Sequence, residues 1–148
     1  MADIEKRYTR ESALNRIYQV SDSDLNPIGA LYGGRLLAIM DSIAARVARE
    51  HSGMVCVTAS VDSVNFLAPV FVDEALILKV AVNRSWNTSM EIGVRVEVER
   101  RKDIIHVASA YLTFVALDEN GKPTKVIPVI PQTDEEQRRF EQAGEAWD

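Results

Sequence analysis

Between Arg35 and Glu50 the chain has helical length and good helix formers. At about 100° per residue, Leu36, Met40, Ile43 and Val47 fall together. Leu37, Ala44, Ala45 and Ala48 form an adjoining stripe, with Asp41 in its middle. Arg35, Ser42, Arg46 and Arg49 gather on the narrow arc that remains. A helix apolar over most of its circumference must be wrapped on more than one side. From Gly53 the period changes. Met54 to Phe66 is rich in Val and Thr and reads as a strand. Leu67-Ala68-Pro69-Val70 breaks it. Ala75 to Asn83 alternates, with Leu76, Leu78, Val80 and Val82 on one face. Ser89 to Arg100 alternates more cleanly: Met90, Ile92, Val94, Val96 and Val98 face one way. Glu91, Arg95, Glu97 and Glu99 face the other, predicting one wet face. Arg101-Lys102-Asp103 is a hairpin turn, and Ile104 to Leu117 is apolar nearly throughout, as in a central strand. Upstream, Ala13 to Val20 reads as a short strand, and residues 1–12 are polar and read as loose. Downstream, a polar helix from about Thr133 to Ala143 opens with capping-box spacing, Thr133 with Glu136.

One strand, one long helix, then four strands in a row predict an α+β fold. Sequential hairpins give an antiparallel sheet, and a single helix is buried against one face of it. No repeat or linker is visible across residues 1–148, so one domain is expected, with its core at about 14–130. The balance of 47% hydrophobic and 26% charged residues is that of an ordinary globular protein, and a net charge of -5 argues against a general nucleic-acid binder. No apolar run reaches the length of a membrane span, and the charged N-terminus lacks a signal-peptide core. The one cysteine, Cys56, excludes an intrachain disulfide framework. His51 and His106 with scattered acids suggest no metal site and no catalytic triad. A cytoplasmic protein is the expectation.

The candidate chemistry lies in Asn26-Pro27-Ile28-Gly29-Ala30-Leu31-Tyr32-Gly33-Gly34, just before the helix. Two glycines at a helix start leave the backbone open to a ligand. The first N–H groups lack intrahelical partners, and the helix dipole points its positive end outward. Such a site can hold a phosphate, a carboxylate or an oxygen gaining negative charge. Read alone, a glycine pair can also be a tight turn, Asn26 a loop cap, and Asp41 a structural acid paired with Arg46.

These elements, with Met40-Asp41, Asn65-Phe66-Leu67-Ala68-Pro69-Val70, Asn87-Thr88-Ser89-Met90-Glu91 and Tyr111-Leu112-Thr113-Phe114-Val115, resemble the hotdog-fold acyl-CoA thioesterases. The likeness is greatest to the cytosolic acyl-CoA hydrolase branch, the YciA-type and brain-type enzymes. It implies a long central helix wrapped by a curved antiparallel sheet. It also implies two protomers joined edge to edge, with active sites at their interface. By the resemblance, an N–H at the Gly33–Gly34 helix start polarises the thioester carbonyl. Asp41 of one protomer then acts with Asn26 of the other. Tyr32 falls at a position that varies in the family and is assigned no chemistry.

Thioester hydrolysis needs a stabilised oxyanion and an activated water or an attacking carboxylate. Gly33 and Gly34 offer the first. Asp41, general base or nucleophile, offers the second, and its apolar neighbours predict poor hydration. Asn26 would hold the water or orient the carbonyl. If the helix starts near Gly33, Asp41 lies about 12 Å along the axis, at about 1.5 Å per residue. That separation favours an Asp from a two-fold-related helix. Coenzyme A, present only as part of the substrate, needs cations for its phosphates: Arg84, Arg100, Arg101 and Lys102 are the candidates. Asn65, Thr88 and Ser89 could line the pantetheine channel. No separate cofactor is expected, and the assembly is expected to be a homodimer or a dimer-based tetramer or hexamer. A non-enzymatic acyl-CoA sensor would normally add a partner-binding segment. A hotdog dehydratase would place a His in the loop or helix. Neither feature is visible in the sequence.

Overall fold

The computed structural model describes residues 7–9 and 13–144. Most of the loose stretch expected at residues 1–12 therefore lies outside the described residues. Arg7–Tyr8 (β1) differs from that expectation: it pairs in parallel with Val129–Ile130 (β7). The other strands are Leu14–Gln19 (β2), Val55–Phe66 (β3), Ala75–Ser85 (β4), Ser89–Arg100 (β5) and Asp103–Leu117 (β6). They form one antiparallel sheet in the order β2-β4-β5-β6-β3. Hairpins join β4 to β5 and β5 to β6, β2 pairs with the outer side of β4, and β3 returns to the far side of β6. That leaves β2 and β3 as the two edges.

The long helix, Gly33–Ser52 (α1), lies against this sheet. Leu36, Ile39, Met40, Ala44, Val47 and Ala48 are its buried face. They pack with the inward rows of the strands: Leu76, Leu78, Val80 and Val82, then Met90 to Val98, then Ala108 to Ala116. The small alanines of α1 and β6 let helix and sheet approach closely. A second helix, Asp134–Gln142 (α2), has the predicted capping box, with Thr133 accepting from the Glu136 N–H at 3.0 Å. The arrangement is the sheet-wrapped helix that the hotdog resemblance implied.

One boundary and one surface differ from expectation. The helix starts two residues before Arg35, so the glycine pair forms its first turn rather than the loop before it. At its other end it runs through Ser52, and Gly53, whose φ of 70° supplies the left-handed cap, closes it where the sequence His51-Ser52-Gly53 places the end. The face of β5 expected to be wet is partly covered. Glu91 is buried and accepts from Asn83 Nδ2 and the Gly144 N–H, each at 3.0 Å. Glu97 is buried between Lys79 at 2.9 Å and Arg95 at 2.7 Å. Alternation located the two faces correctly. It did not show that the C-terminal segment returns over one of them.

Met40 is fully enclosed between α1 and the sheet. Replacing it with Ala should lower unfolding free energy by about 2–5 kcal/mol, since the close-packed surroundings collapse only partly. Denaturant titration checks this, and a loss below about 1 kcal/mol would mean the helix is not the centre of the core.

Candidate active site

The loop before α1 is built by one side chain. Asn26 Oδ1 accepts from the Ile28 and Ala30 N–H groups, both at 3.0 Å. Its backbone N–H donates to Ala30 O at 2.7 Å, and its carbonyl accepts from Gly29 at 3.0 Å. Gly29 has φ 85°, a conformation that favours glycine. Two donors facing Oδ1 fix the amide orientation. Its Nδ2 then meets no acceptor among the described residues. Asn26 is thus both a loop cap and a positioned donor.

A second cluster holds the same loop from behind. The buried Asp24 carboxylate accepts from Tyr18 Oη at 3.0 Å, Arg35 Nε at 2.9 Å and the Ser21 N–H at 3.0 Å. Its backbone oxygen accepts from the Tyr32 N–H at 3.1 Å, which fixes the residue that caps α1. The Ser21 amide and the Arg35 and Tyr18 donors hold the Asp24 carboxyl below its ordinary value of 3.8, against the opposing cost of burial.

Tyr32 gives α1 no side-chain cap, and the Gly33 and Gly34 N–H groups meet no acceptor among the described residues. Neither glycine has a positive φ. A methyl at Gly33 would make ordinary contact with the Phe66 ring at 3.5 Å, and at Gly34 it would meet nothing within 4 Å. Neither the backbone nor the packing of this chain demands a glycine at 34. Beside it opens a cleft of about 390 Å³ lined by Ala30, Leu31, Gly33, Phe66, Leu67 and Pro69 among others.

Asp41 lies two turns further along α1. Its Oδ1 accepts from Thr58 Oγ1 at 2.7 Å. Arg46 does not serve it, because Arg46 Nε pairs with Glu50 at 3.1 Å. The expected poor hydration is not met within one chain: Asp41 is only half-buried, although Ala44 and Ala48 beside it are enclosed in the core. Thr58 carries no motif, and nothing in the sequence singled it out. It stands on the edge strand, beside one of two breaks in the β3–β6 register, at Thr58/Ser60 and Val61/Ser63. Such irregularities redirect side chains at sheet edges.

The other expected residues scatter. Arg84 is held by α2, lying 4.3 Å from the Phe140 ring centroid and donating to Phe140 O. Arg100 forms a two-bond clamp on Glu74, with Nε and Nη2 both at 2.8 Å. Arg101 and Lys102 are exposed at the β5–β6 turn. Asn65 is exposed near the end of β3. Thr88 is half-buried and Ser89 fully buried, at the opposite end of the sheet from the glycine pair. His51 is enclosed, with Nε2 3.0 Å from Ile127 O, and His106 Nε2 is 3.1 Å from Ala108 O. No group of three or more metal-ligating side chains occurs among the described residues, and no helix there is long and apolar enough to cross a membrane.

A long helix packed against a five-stranded antiparallel sheet defines a hotdog-fold protein. The chain belongs to the thioesterase superfamily, whose family model matches residues 28–105. It is 38% identical over 136 residues to the uncharacterized acyl-CoA thioester hydrolase YkhA of Bacillus subtilis, covering 89% of this chain and 78% of that one. It overlays an acyl-CoA hydrolase from Staphylococcus aureus, solved with butyryl coenzyme A and coenzyme A, with a TM-score of 0.88. The two are 36% identical, over 93% of this chain and 85% of that one. Alanine variants of the same hydrolase at one asparagine, one aspartate and one threonine have also been solved. There the asparagine precedes the aspartate by 15 residues, and the threonine follows it by 17. A hexameric acyl-CoA thioesterase in its apo form overlays with a TM-score of 0.89 at 38% identity, covering 93% of this chain and 90% of that one.

The acids that organise the loop and sheet make stability pH-dependent. Asp24, Glu74 (clamped by Arg100) and Glu97 (between Lys79 and Arg95) all have lowered pKa values. The unfolded chain therefore takes up protons first, and stability is lost as pH falls below their ordinary values of 3.8 and 4.5. Urea midpoints should drop between pH 6 and pH 3, and Asp24→Asn should make that drop smaller. An unchanged drop would remove Asp24 from the acid response.

Proposed function

We propose that this chain hydrolyses acyl-CoA thioesters, at sites each shared by two copies of it. The observation that carries this reading is the separation of two half-sites on one helix. Donors gather at its start: the Gly33 and Gly34 amides and Asn26 Nδ2. The acid, Asp41, sits eight residues on, about 12 Å along the axis, and is bonded to the edge strand. A carbonyl held at the amides is out of reach of that acid in the same chain.

A second copy supplies what is missing. Strand β3 is a twelve-residue free edge, and unpaired edges template pairing with another chain. Val55, Val57 and Val61 along it are 43–65% exposed, which a monomer would leave wet. Gly33 faces the Phe66 ring at one end of β3, which a β-carbon there would meet at 3.5 Å, and Asp41 bonds Thr58 near the other. In a two-fold antiparallel pairing centred near Asp62, Thr58 of one chain lies opposite the partner's Phe66. The acid of each protomer is thereby carried to the glycine pair of the other. Pairing also covers the open side of α1 and removes water from Asp41, the condition that one chain alone does not meet.

The chemistry then follows. The amides and Asn26 Nδ2 polarise the thioester carbonyl and hold its oxygen as charge develops. With Oδ1 tied to Thr58, Asp41 uses its free Oδ2 to take a proton from water. The water oxygen bonds the acyl carbon, the carbon–sulfur bond breaks, and coenzyme A leaves as the thiol once its sulfur regains a proton. Asn26, Asp41 and Thr58 stand at the intervals of 15 and 17 residues found for the altered residues of the Staphylococcus aureus hydrolase, which supports these assignments. The hexameric relative supports a dimer-based assembly. The cytoplasm, where a free thiol such as Cys56 stays reduced, is the proposed location.

Thiol release from a panel of acyl-CoAs tests this. Asp41→Asn should lower kcat by about 10²–10⁴, and Thr58→Val, which removes one charge-assisted bond, by about tenfold or more. Mixing Asp41→Ala with Asn26→Ala chains should restore part of the activity, because a heterodimer keeps one intact site. Full activity in Asp41→Asn would remove the acid, and no rescue on mixing would confine the site to one chain.

A further inference from the structure

The β5–β6 hairpin turns on Arg101 and Lys102, both in the left-handed region, at φ 52° and 71°. Two-residue turns of this kind are normally Asn-Gly or Asp-Gly, because a longer side chain is strained there. Here two long cations occupy both positions and are exposed. Neither forms an ion pair among the described residues, although Asp103 is next in sequence. The other cations considered for the substrate are engaged: Arg84 lies against Phe140 and Arg100 clamps Glu74.

The hairpin is also fixed in place beside the cleft. Arg100 Nη2 donates to Pro69 O at 3.1 Å, and the Leu67 N–H donates to Val107 O at 2.8 Å. Leu67 and Pro69 are cleft wall. The wall is thus bonded to the two strands that carry the turn, and two free positive charges stand next to the apolar cleft that starts at Gly33. The chain as a whole carries a net charge of -5. A thioester carrying a pyrophosphate and a 3′-phosphate would be repelled by such a surface unless cations met it locally.

We propose that the Arg101–Lys102 tip is the subsite for the phosphates of the substrate's 3′-phospho-ADP end. The turn gives up backbone preference to place charge where the nucleotide leaves the cleft. This rests on the thioesterase reading above and assigns the end of the substrate that the hydrolytic groups do not touch.

The double variant R101N/K102G removes both charges and installs the favoured turn, so loss of folding does not confuse the result. Coenzyme A is titrated calorimetrically into wild type and variant. Turnover is compared on an acyl-CoA and on the matching S-acyl-N-acetylcysteamine, which carries the thioester without the nucleotide. Two charge-assisted contacts predict a coenzyme A Kd raised about tenfold or more. The ratio of kcat/KM on acyl-CoA to that on the short thioester should fall by a similar factor. Added salt should weaken binding in the wild type more than in the variant. An unchanged Kd, or an unchanged ratio, overturns the assignment. If wild type cleaved neither thioester, the hydrolase reading would fail, and the coenzyme A titration would still decide the hairpin.

Discussion

Thr58 donates its hydroxyl to Asp41 across the gap between the free edge of the sheet and the central helix. That contact ties the acid in the middle of the inner helix to the long edge strand β3. Everything proposed about the site follows from where it is made. Had Asp41 bonded to an interior strand, it would be structural and sealed. On the edge it is half-open, fixed in orientation, and aimed at whatever completes the sheet. Gly33 faces Phe66 at the other end of the same strand. In the proposed site, one helix and one strand carry both halves. The proposed two-fold pairing of the strand would join them.

The loop before the helix is held with unusual thoroughness. Asn26 spends its carbonyl oxygen on two backbone amides, and Asp24 spends its carboxylate on Tyr18, Ser21 and Arg35. Fixed donors stabilise developing charge without reorganising during reaction. Gly33 and Gly34 cost helix propensity, about 1 kcal/mol each against alanine in a helix interior. Nothing inside the chain at Gly34 repays that cost. In the proposed site, the compensation would be the open approach that the pair leaves to the thioester carbonyl.

The fold was legible because its signals are local and redundant. Period-two alternation placed β4 and β5 within a residue or two, and a long apolar run identified the central β6. The all-round apolar helix announced that it would be wrapped. Asn26, the glycine pair and Asp41 were legible as a spaced set leading into that helix. Thr58 was not, because a threonine in a Val/Thr-rich strand carries no distinguishing signal. Its bond to Asp41, beside a break in the β3–β6 register, appears only in the folded sheet. The buried state of Glu91 and Glu97 was hidden for a similar reason: alternation reports which face a residue takes, and a distant tail decides whether that face is wet. The engagement of Arg84 and Arg100 also depends on pairs far apart in sequence. Charge alone could not separate them from Arg101 and Lys102.

The central claim is that each site is built from two copies. A crystal structure with a non-cleavable acyl-CoA thioether ketone bound tests it most directly. The ketone oxygen should lie about 3 Å from the Gly33 or Gly34 amide of one protomer. Asp41 beside the ketone carbon should come from the other protomer, with its Thr58 bond intact. A ketone flanked by both groups of the same chain, or an Asp41 left facing open water, would contradict the account.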